Sequence, residues 1–369
     1  MQQKRHKEDA VWMDRALALA ARAYGCTSPN PMVGAVVVVG EAVAGEGFHA
    51  RAGEPHAEPL AIERAGRMLA PNPPPDVTLY VNLEPCAHHG RTPPCTAAIL
   101  AAGIPRVVVA ILDPDARVAG NGIEILRAHG VEVEVGCRAG AARELNHLFL
   151  RRQGRGRPFV ALKVARASDG SVAAADGSPV AITGEMARAH VHRLRAGHDA
   201  ILIGVETLRR DRPRLDIRLY SGPGRAPRRV VIDPRLRADP AWLWPGEAVR
   251  PVVLTSAAAR AARGRDFDAV ADLVPLPQRP DGTLDVAAIP AALAQLDLWS
   301  VLVEGGGRTH RSFLEAGLWD RMYVYSRPGP GIAGLAWEAE ASWKAATTVA
   351  LYTETLGVDR LEIFEPGQD

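Results

Sequence analysis

At 369 residues the chain is too long for one ordinary hydrophobic core, so two domains are expected. Hydrophobic residues at 47% and charged residues at 23% are ordinary for a soluble globular protein. The formal net charge of +2 is too small to argue for a nucleic-acid or membrane partner, and the most apolar run, residues 33–39, falls far short of the ~18 residues a membrane span requires. The start of the chain, Met1-Gln2-Gln3-Lys4-Arg5, is charged, and no apolar stretch long enough for a signal peptide follows it. Four cysteines do not make a disulfide framework in a chain of this size. A cytoplasmic enzyme whose paired cysteines bind metal or take part in catalysis is the expected class.

Residues 11–23 place Met13, Leu17 and Ala20 at helical spacing and predict an opening helix. The short β-branched run 33–39 suits a buried strand. A helical stretch follows His56 to about Leu69 and ends at Pro71-Asn72-Pro73-Pro74-Pro75, which is loop. Residues 77–81, 107–111 and 131–135 read as strands, and Ile99 belongs to a short helix behind Pro93-Pro94. Alternating strands and helices predict an α/β fold whose sheet is covered on both faces. Residues 1–150 form the first expected domain. The basic, glycine-rich segment 151–158 is the candidate linker, read as a solvated hinge rather than a nucleic-acid arm. A second α/β domain is expected over 158–369, with strands at 159–164, 200–203, 230–232, 252–254, 301–303 and 322–324.

The chemistry concentrates in the first domain. His56, Cys86 and Cys95 offer one imidazole and two thiolates, a tetrahedral zinc set with one position open for catalysis. Two thiolates and a neutral histidine balance the dication, and the metal can still acidify a water to a pKa of about 7. Pro94 suits the first turn of a helix, which puts Cys95 at a helix N-terminus where the dipole favours the thiolate. Glu58, two residues from His56, is the expected acid/base of a hydrolytic deamination: it takes a proton from the water and delivers it to a ring nitrogen, then serves the departing ammonia. Cys26 and Cys137 have no partners in such a pattern and read as packing residues. His89 and His129 read as surface or packing histidines.

The segments Asn30-Pro31-Met32-Val33-Gly34, Gly53-Glu54-Pro55-His56-Ala57-Glu58 and Glu84-Pro85-Cys86 through Gly90-Arg91-Thr92-Pro93-Pro94-Cys95 resemble the bifunctional deaminase–reductases of riboflavin biosynthesis. Asp113-Pro114 and Val118-Ala119-Gly120-Asn121-Gly122 continue the match, which covers nearly the whole chain. The eight residues between the cysteines are its sharpest mark, since tRNA-adenosine and cytidine deaminases usually place two there. The resemblance implies a cytidine-deaminase-like N-terminal domain and a dihydrofolate-reductase-like C-terminal domain. It implies zinc and NADPH as cofactors, a phosphoribosylaminopyrimidine substrate and a homo-oligomer. By family position Asn30, His49, His88, Arg91 and Asp113 contact the first substrate. Ala165, Thr207, Asp211, Gly306, Gly307, Arg308 and Thr309 hold NADPH. Arg195, Leu215, Arg218 and Glu304 face the ribosyl phosphate of the second substrate, the two arginines suiting its charge.

The chain departs from the family pattern at Asp115 and Ala116 near the first pocket. In the second domain it departs at Ser171, where a basic residue is usual, at Pro179 and Ala181, which replace a serine and a tryptophan, and at Arg212, Asp216 and the stretch Arg327-Pro328-Gly329-Pro330. An acid at Asp216 is unfavourable beside a phosphate unless an arginine offsets it. Three readings follow: a deaminase with an NADPH reductase, a deaminase with a catalytically silent second domain, and a zinc-stabilised nucleic-acid module. The near-neutral charge and the lack of a closed ligand set count against the third.

Overall fold

The structure, a computed structural model, describes residues 2–69, 73–88, 93–114 and 119–367. It divides into two compact units, Met1–Gly156 and Arg157–Asp369.

In the first unit the elements run α1 (Gln2–Ala21), β1 (Gly34–Val39), β2 (Ala42–Phe48), α2 (Ala57–Ala65), β3 (Val77–Val81), α3 (Cys95–Ala101), β4 (Arg106–Val109), α4 (Asn121–Ala128), β5 (Glu132–Val135), α5 (Ala139–Leu145) and α6 (His147–Arg155). The five strands lie in the order β2-β1-β3-β4-β5. Strands β3, β4 and β5 are parallel, and β1 is antiparallel to both its neighbours. The period of two along each strand sorts side chains to two cores. Val36, Val38, Tyr80 and Val108 pack with Met13 and Leu17 of α1 and Ala142 of α5. Ala35, Val37, Leu79 and Val107 pack with Ala57 and Ala61 of α2, Ile99 of α3 and Leu126 of α4. Both faces of the sheet are covered, which is why these strands read as continuous apolar runs.

Three local expectations change. Helix α1 begins at Gln2 rather than near residue 11, because its first turns are polar and carry no apolar period. Strand β2 was not expected, since Gly45 and Gly47 depress its strand propensity. Those glycines let α2 lie directly on the strand: a Cβ at Gly45 would stand 2.1 Å from the Ala61 carbonyl oxygen, and one at Gly47 would stand 2.3 Å from that of Ala57. This close approach sets the N-terminus of α2, and with it His56 and Glu58, against the sheet. The segment expected as a linker from residue 151 is helical to Arg155 and stops at Gly156, whose φ of 63° is left-handed. Its arginines are good helix formers and continue a helix begun at His147.

The second unit carries β6 (Phe159–Ala167), β7 (Ser171–Ala173), α7 (Glu185–Gly197), β8 (Ala200–Gly204), α8 (Val205–Asp211), β9 (Arg228–Ile232), β10 (Val252–Ser256), α9 (Ala257–Arg263), β11 (Asp272–Leu276), α10 (Ile289–Gln295), β12 (Ser300–Val303), α11 (Gly307–Glu315), β13 (Arg321–Arg327), β14 (Leu335–Ala336), α12 (Glu340–Ala345), β15 (Thr348–Leu356) and β16 (Asp359–Pro366). Nine strands form one sheet in the order β11-β10-β9-β8-β12-β6-β13-β16-β15. The first seven in that order are mutually parallel, and β16 pairs antiparallel with both β13 and β15. All six predicted strands of this unit are central ones with buried runs. Those not foreseen, β11, β15 and β16 among them, lie at or next to the sheet edges, where exposed polar residues interrupt the pattern. The parallel register brings the C-terminal ends of β6, β8, β9 and β12 to one rim, the usual position of a ligand crevice in an α/β sheet.

Candidate active sites

The first site forms where α2 and α3 begin. His56 caps α2 with extended backbone (φ −72°, ψ 164°), and Glu58 lies buried in the first turn of that helix. Cys86 follows β3 after a short turn, and Cys95 opens α3 directly behind Pro94. One donor atom from each of His56, Cys86 and Cys95 lies within 4.8 Å of the others. His56 Nδ1 is 3.2 Å from Cys95 Sγ and 3.6 Å from Cys86 Sγ, and the Cys95 backbone N–H donates to Cys86 Sγ at 3.3 Å. Hydrogen bonds from the Cys95 thiol and from His56 hold the Cys86 thiol down at about 4, and Cys95 is pushed up as the proton-bearing member of the pair. This imidazole and these two sulfurs, held close and sharing protons, fit a soft divalent cation such as zinc. Burial, and after it the negative charge of Cys86, pushes Glu58 up to about 7.

A cavity of about 530 Å³ opens onto His56, Glu58 and Cys86 and is also lined by Asn30, His49, His88 and Asp113. His49 Nδ1–H donates to the Pro55 carbonyl at 3.1 Å, so its Nε2 accepts from the Asn30 amide nitrogen at 3.1 Å. The amide of Asn30 is thereby oriented with its carbonyl oxygen as the group left for a substrate. Burial holds the His49 imidazole low and keeps the ring neutral. Arg91, Asp115 and Ala116 lie outside the described residues.

Two parts of this site had no sequence signal strong enough to single them out. Glu84 is buried and accepts backbone N–H bonds from Asp113 at 3.1 Å, Gly120 at 3.0 Å and Gly122 at 2.9 Å. It ties the Asp113 end of the pocket to the turn that carries Cys86. Gly122 is required there, because a Cβ would stand 2.2 Å from the Pro85 carbonyl oxygen. Phe149, Arg152 and Gln153 of α6 also line the cavity. Arg152 and Gln153 fall inside the stretch expected as a hinge, and basic residues beside glycines carry no mark of a pocket wall.

In the second unit a cavity of about 920 Å³ lies at the rim of the parallel strands. It is lined by Ala165, Thr207, Asp211, Gly306, Gly307, Arg308 and Thr309, and by Arg195, Leu215, Arg218 and Glu304. Gly306, with φ 76°, caps the N-terminus of α11 at the end of β12, where backbone N–H groups and the helix dipole favour an anion. The turn is braced from behind. Trp337 Nε1–H donates to His310 Nδ1 at 3.2 Å, and His310 Nε2–H donates to the Val303 carbonyl at 3.2 Å. Burial pushes His310 down to about 4, so it stays neutral in that role. A glycine turn, a helix N-terminus and a long cavity rich in arginine fit a phosphorylated dinucleotide.

The charges of this cavity differ from the sequence expectation. Arg195 does not stand open to an anion: Nε and Nη2 donate to the two carboxylate oxygens of buried Glu304 at 2.6 and 2.8 Å, and Nη1 donates to the Asp216 carbonyl at 2.9 Å. Burial pushes the Glu304 carboxyl upward, but Arg195 and Lys163 outweigh it and hold the group ionised. Asp216 is offset by two arginines, Arg214 at 3.0 Å and Arg218 in closer contact. Glu304 faces Arg195 and Lys163, and Asp216 faces Arg214 and Arg218, so each of these two carboxylates is offset by two cations. Pro179 and Ala181 line the cavity; Ser171 is buried and accepts the Gly334 backbone N–H at 3.0 Å; Arg212 lies with its guanidinium 4.5 Å from the Trp242 ring centre.

Comparison with known proteins places both units. Residues 6–111 match the family model of the cytidine and deoxycytidylate deaminase zinc-binding region, and residues 158–330 match that of the RibD C-terminal domain. The riboflavin biosynthesis protein RibD of Aquifex aeolicus is 40% identical over 321 residues, covering 87% of each chain. That of Escherichia coli is 38% identical, covering 87% of this chain and 88% of its own. Among solved structures, a diaminohydroxyphosphoribosylaminopyrimidine deaminase/5-amino-6-(5-phosphoribosylamino)uracil reductase from Thermotoga maritima superposes with a TM-score of 0.80 at 32% identity, covering 98% of this chain and all of that one. Acinetobacter baumannii RibD, at 33% identity and the same coverage, gives 0.79.

Proposed function

The chain belongs to the RibD family of riboflavin-biosynthesis proteins, and from that premise we propose how its two sites divide the reaction. It is a bifunctional enzyme. The first unit deaminates a diaminohydroxyphosphoribosylaminopyrimidine, and the second reduces the ribosyl group of the resulting amino-uracil to a ribityl chain with NADPH. The observation that carries the reading is the juxtaposition of His56, Cys86 and Cys95, with His56, Cys86 and buried Glu58 lining one cavity.

His56, Cys86 and Cys95 would hold zinc, which when bound supplies the Lewis acidity that makes water a nucleophile at neutral pH. Glu58, fixed in the first turn of α2, takes the proton from the attacking water and hands it to the ring nitrogen, then serves the departing ammonia. Asn30, oriented by His49, presents its carbonyl oxygen to ring N–H groups, and His88 and Asp113 bound the pocket on its other sides. In the second unit, the Gly306–Gly307 turn, Arg308, Thr309, Thr207, Asp211 and Ala165 would bind NADPH, the hydride donor. Arg218 and Leu215 would hold the ribosyl phosphate, and Arg195 orients Glu304 toward the sugar. The reading of a silent second unit loses one of its grounds, because the acid at Asp216 is offset by Arg214 and Arg218.

No helix among the described residues is long and apolar enough to cross a membrane. Thiolate ligands and NADPH belong to a reducing compartment, so the cytoplasm is the proposed location. A homo-oligomer belongs to the same proposal: β15 is an edge strand with exposed Val349, Leu351 and Tyr352, a surface that a second copy can cover.

The test is sequential. Purified chain given the diaminopyrimidine substrate releases ammonia without NADPH, and it oxidises NADPH only once the deaminated product is present. Ammonia release with no NADPH oxidation on that product would reinstate the deaminase-only reading.

A further inference from the structure

The basic segment after residue 150 is absorbed neither by the zinc site nor by the reductase cavity, yet its helix forms a wall of the deaminase pocket. We propose that Arg152 binds the phosphate of the deaminase substrate; the proposal rests on the deaminase reading above. The cavity is otherwise an acidic one: Glu58, Glu84 and Asp113 line it, and among its described lining residues Arg152 is the only arginine or lysine. A substrate that carries a phosphate dianion into such a cavity needs a cation on its wall, and a guanidinium is the side chain best matched to phosphate oxygens. Arg91, to which the family resemblance assigns a substrate contact, lies outside the described residues, and Arg152 is proposed as a contact in addition to it.

The arginine is held in place before any ligand arrives. Its Nη2 donates to the Pro29 carbonyl at 2.9 Å, and its guanidinium carbon lies 5.4 Å from the ring centre of Phe149 on the same helix. Pro29 adjoins Asn30, whose amide is oriented by His49. The distance between the ring-reading end of the pocket and the cation is therefore fixed by one hydrogen bond and one peptide unit, as a ligand with a rigid base and a charged tail requires. The direction also agrees. The reacting carbon must meet buried Glu58 beside His56 and Cys86, so the phosphoribosyl arm must run away from Glu58, toward the wall that carries half-buried Arg152 and exposed His88. Glu84 is already engaged by three backbone N–H groups, which fix its carboxylate against Asp113, Gly120 and Gly122.

The experiment compares the full-length enzyme with Arg152→Gln and Arg152→Lys on two substrates, the phosphorylated diaminopyrimidine and the same compound after phosphatase treatment. Glutamine keeps an N–H donor for the Pro29 carbonyl and removes the charge, so it separates anion binding from loop support. Arg152→Gln is expected to lower kcat/KM for the phosphorylated substrate by about tenfold to a hundredfold, the range for a hydrogen bond to a charged group, mostly through KM. The preference for the phosphorylated over the dephosphorylated compound should collapse with it, and Arg152→Lys should restore part of that preference. Inorganic phosphate should inhibit the wild-type deaminase competitively and Arg152→Gln much less. An unchanged preference ratio in Arg152→Gln, or an equal loss on both substrates, overturns the proposal and assigns Arg152 to holding the Pro29 turn. A wild-type enzyme that releases ammonia from neither compound overturns the deaminase reading itself, and this proposal with it.

Discussion

The backbone N–H of Cys95 donates to the sulfur of Cys86 at 3.3 Å, so the first peptide unit of α3 joins the two thiols of the proposed metal site. The bond favours a thiolate at Cys86 and fixes the separation of the two sulfurs before a cation binds. Three donors leave little redundancy. Cys95→Ala is expected to lose most of a single zinc per chain while the rest of the first unit stays folded. Elemental analysis of the purified variant checks this, and unchanged zinc would refute Cys95 as a ligand.

Glu58 sits beside that donor set with its carboxyl buried and no other acid on α2's first turn to replace it. Glu58→Gln keeps the shape and hydrogen-bonding capacity but cannot take a proton. Ammonia release should fall about a hundredfold to ten-thousandfold, the usual range for losing a general acid/base, with zinc content and secondary structure unchanged. Wild-type turnover in Glu58→Gln would remove the residue from the reaction.

The Arg195–Glu304 pair in the second unit is a buried salt bridge with two direct hydrogen bonds. Removing one partner leaves the other charge uncompensated, at a cost of about 3–5 kcal/mol. Glu304→Ala should therefore lower the denaturant midpoint of the second unit and abolish NADPH oxidation, while ammonia release persists. A midpoint equal to wild type would show that Asp216 and solvent already satisfy the cation.

Asp9 of α1 is the anchor of a buried network: Arg106 donates to its two oxygens at 2.8 and 2.9 Å, and the Tyr80 hydroxyl donates at 2.8 Å. Burial pushes the Asp9 carboxyl upward, but the bonds from Arg106 and Tyr80 outweigh it and hold the group below its ordinary value of 3.8. A folded-state value below the unfolded one stabilises the protein above pH 3.8, and that contribution is lost as pH falls through the folded value. Thermal unfolding should show Asp9→Asn well below wild type at pH near 6, with the gap narrowing as pH falls below 3.8. A gap independent of pH would show that packing, and not the charge, holds α1 to the sheet.

Much of the first site was legible in the sequence because its parts are set by local chain geometry. His56 and Glu58 are two residues apart across one helix start, Cys95 follows a Pro-Pro turn, and the buried strands announce themselves as short β-branched runs. Those relations survive any arrangement of the rest of the chain. What only the tertiary structure decided are pairings between residues far apart in sequence. Glycines in β2 look like poor strand formers until α2 is seen lying on them. Asp216 looks like an obstacle to phosphate until Arg214 and Arg218 are seen against it, and Arg195 looks like a free anion binder until Glu304, more than a hundred residues later, is seen in its grip. Arg152 looks like part of a hinge until α6 folds back beside Pro29. A side chain's charge is written in the sequence, but what that charge faces depends on which strands and helices pack together.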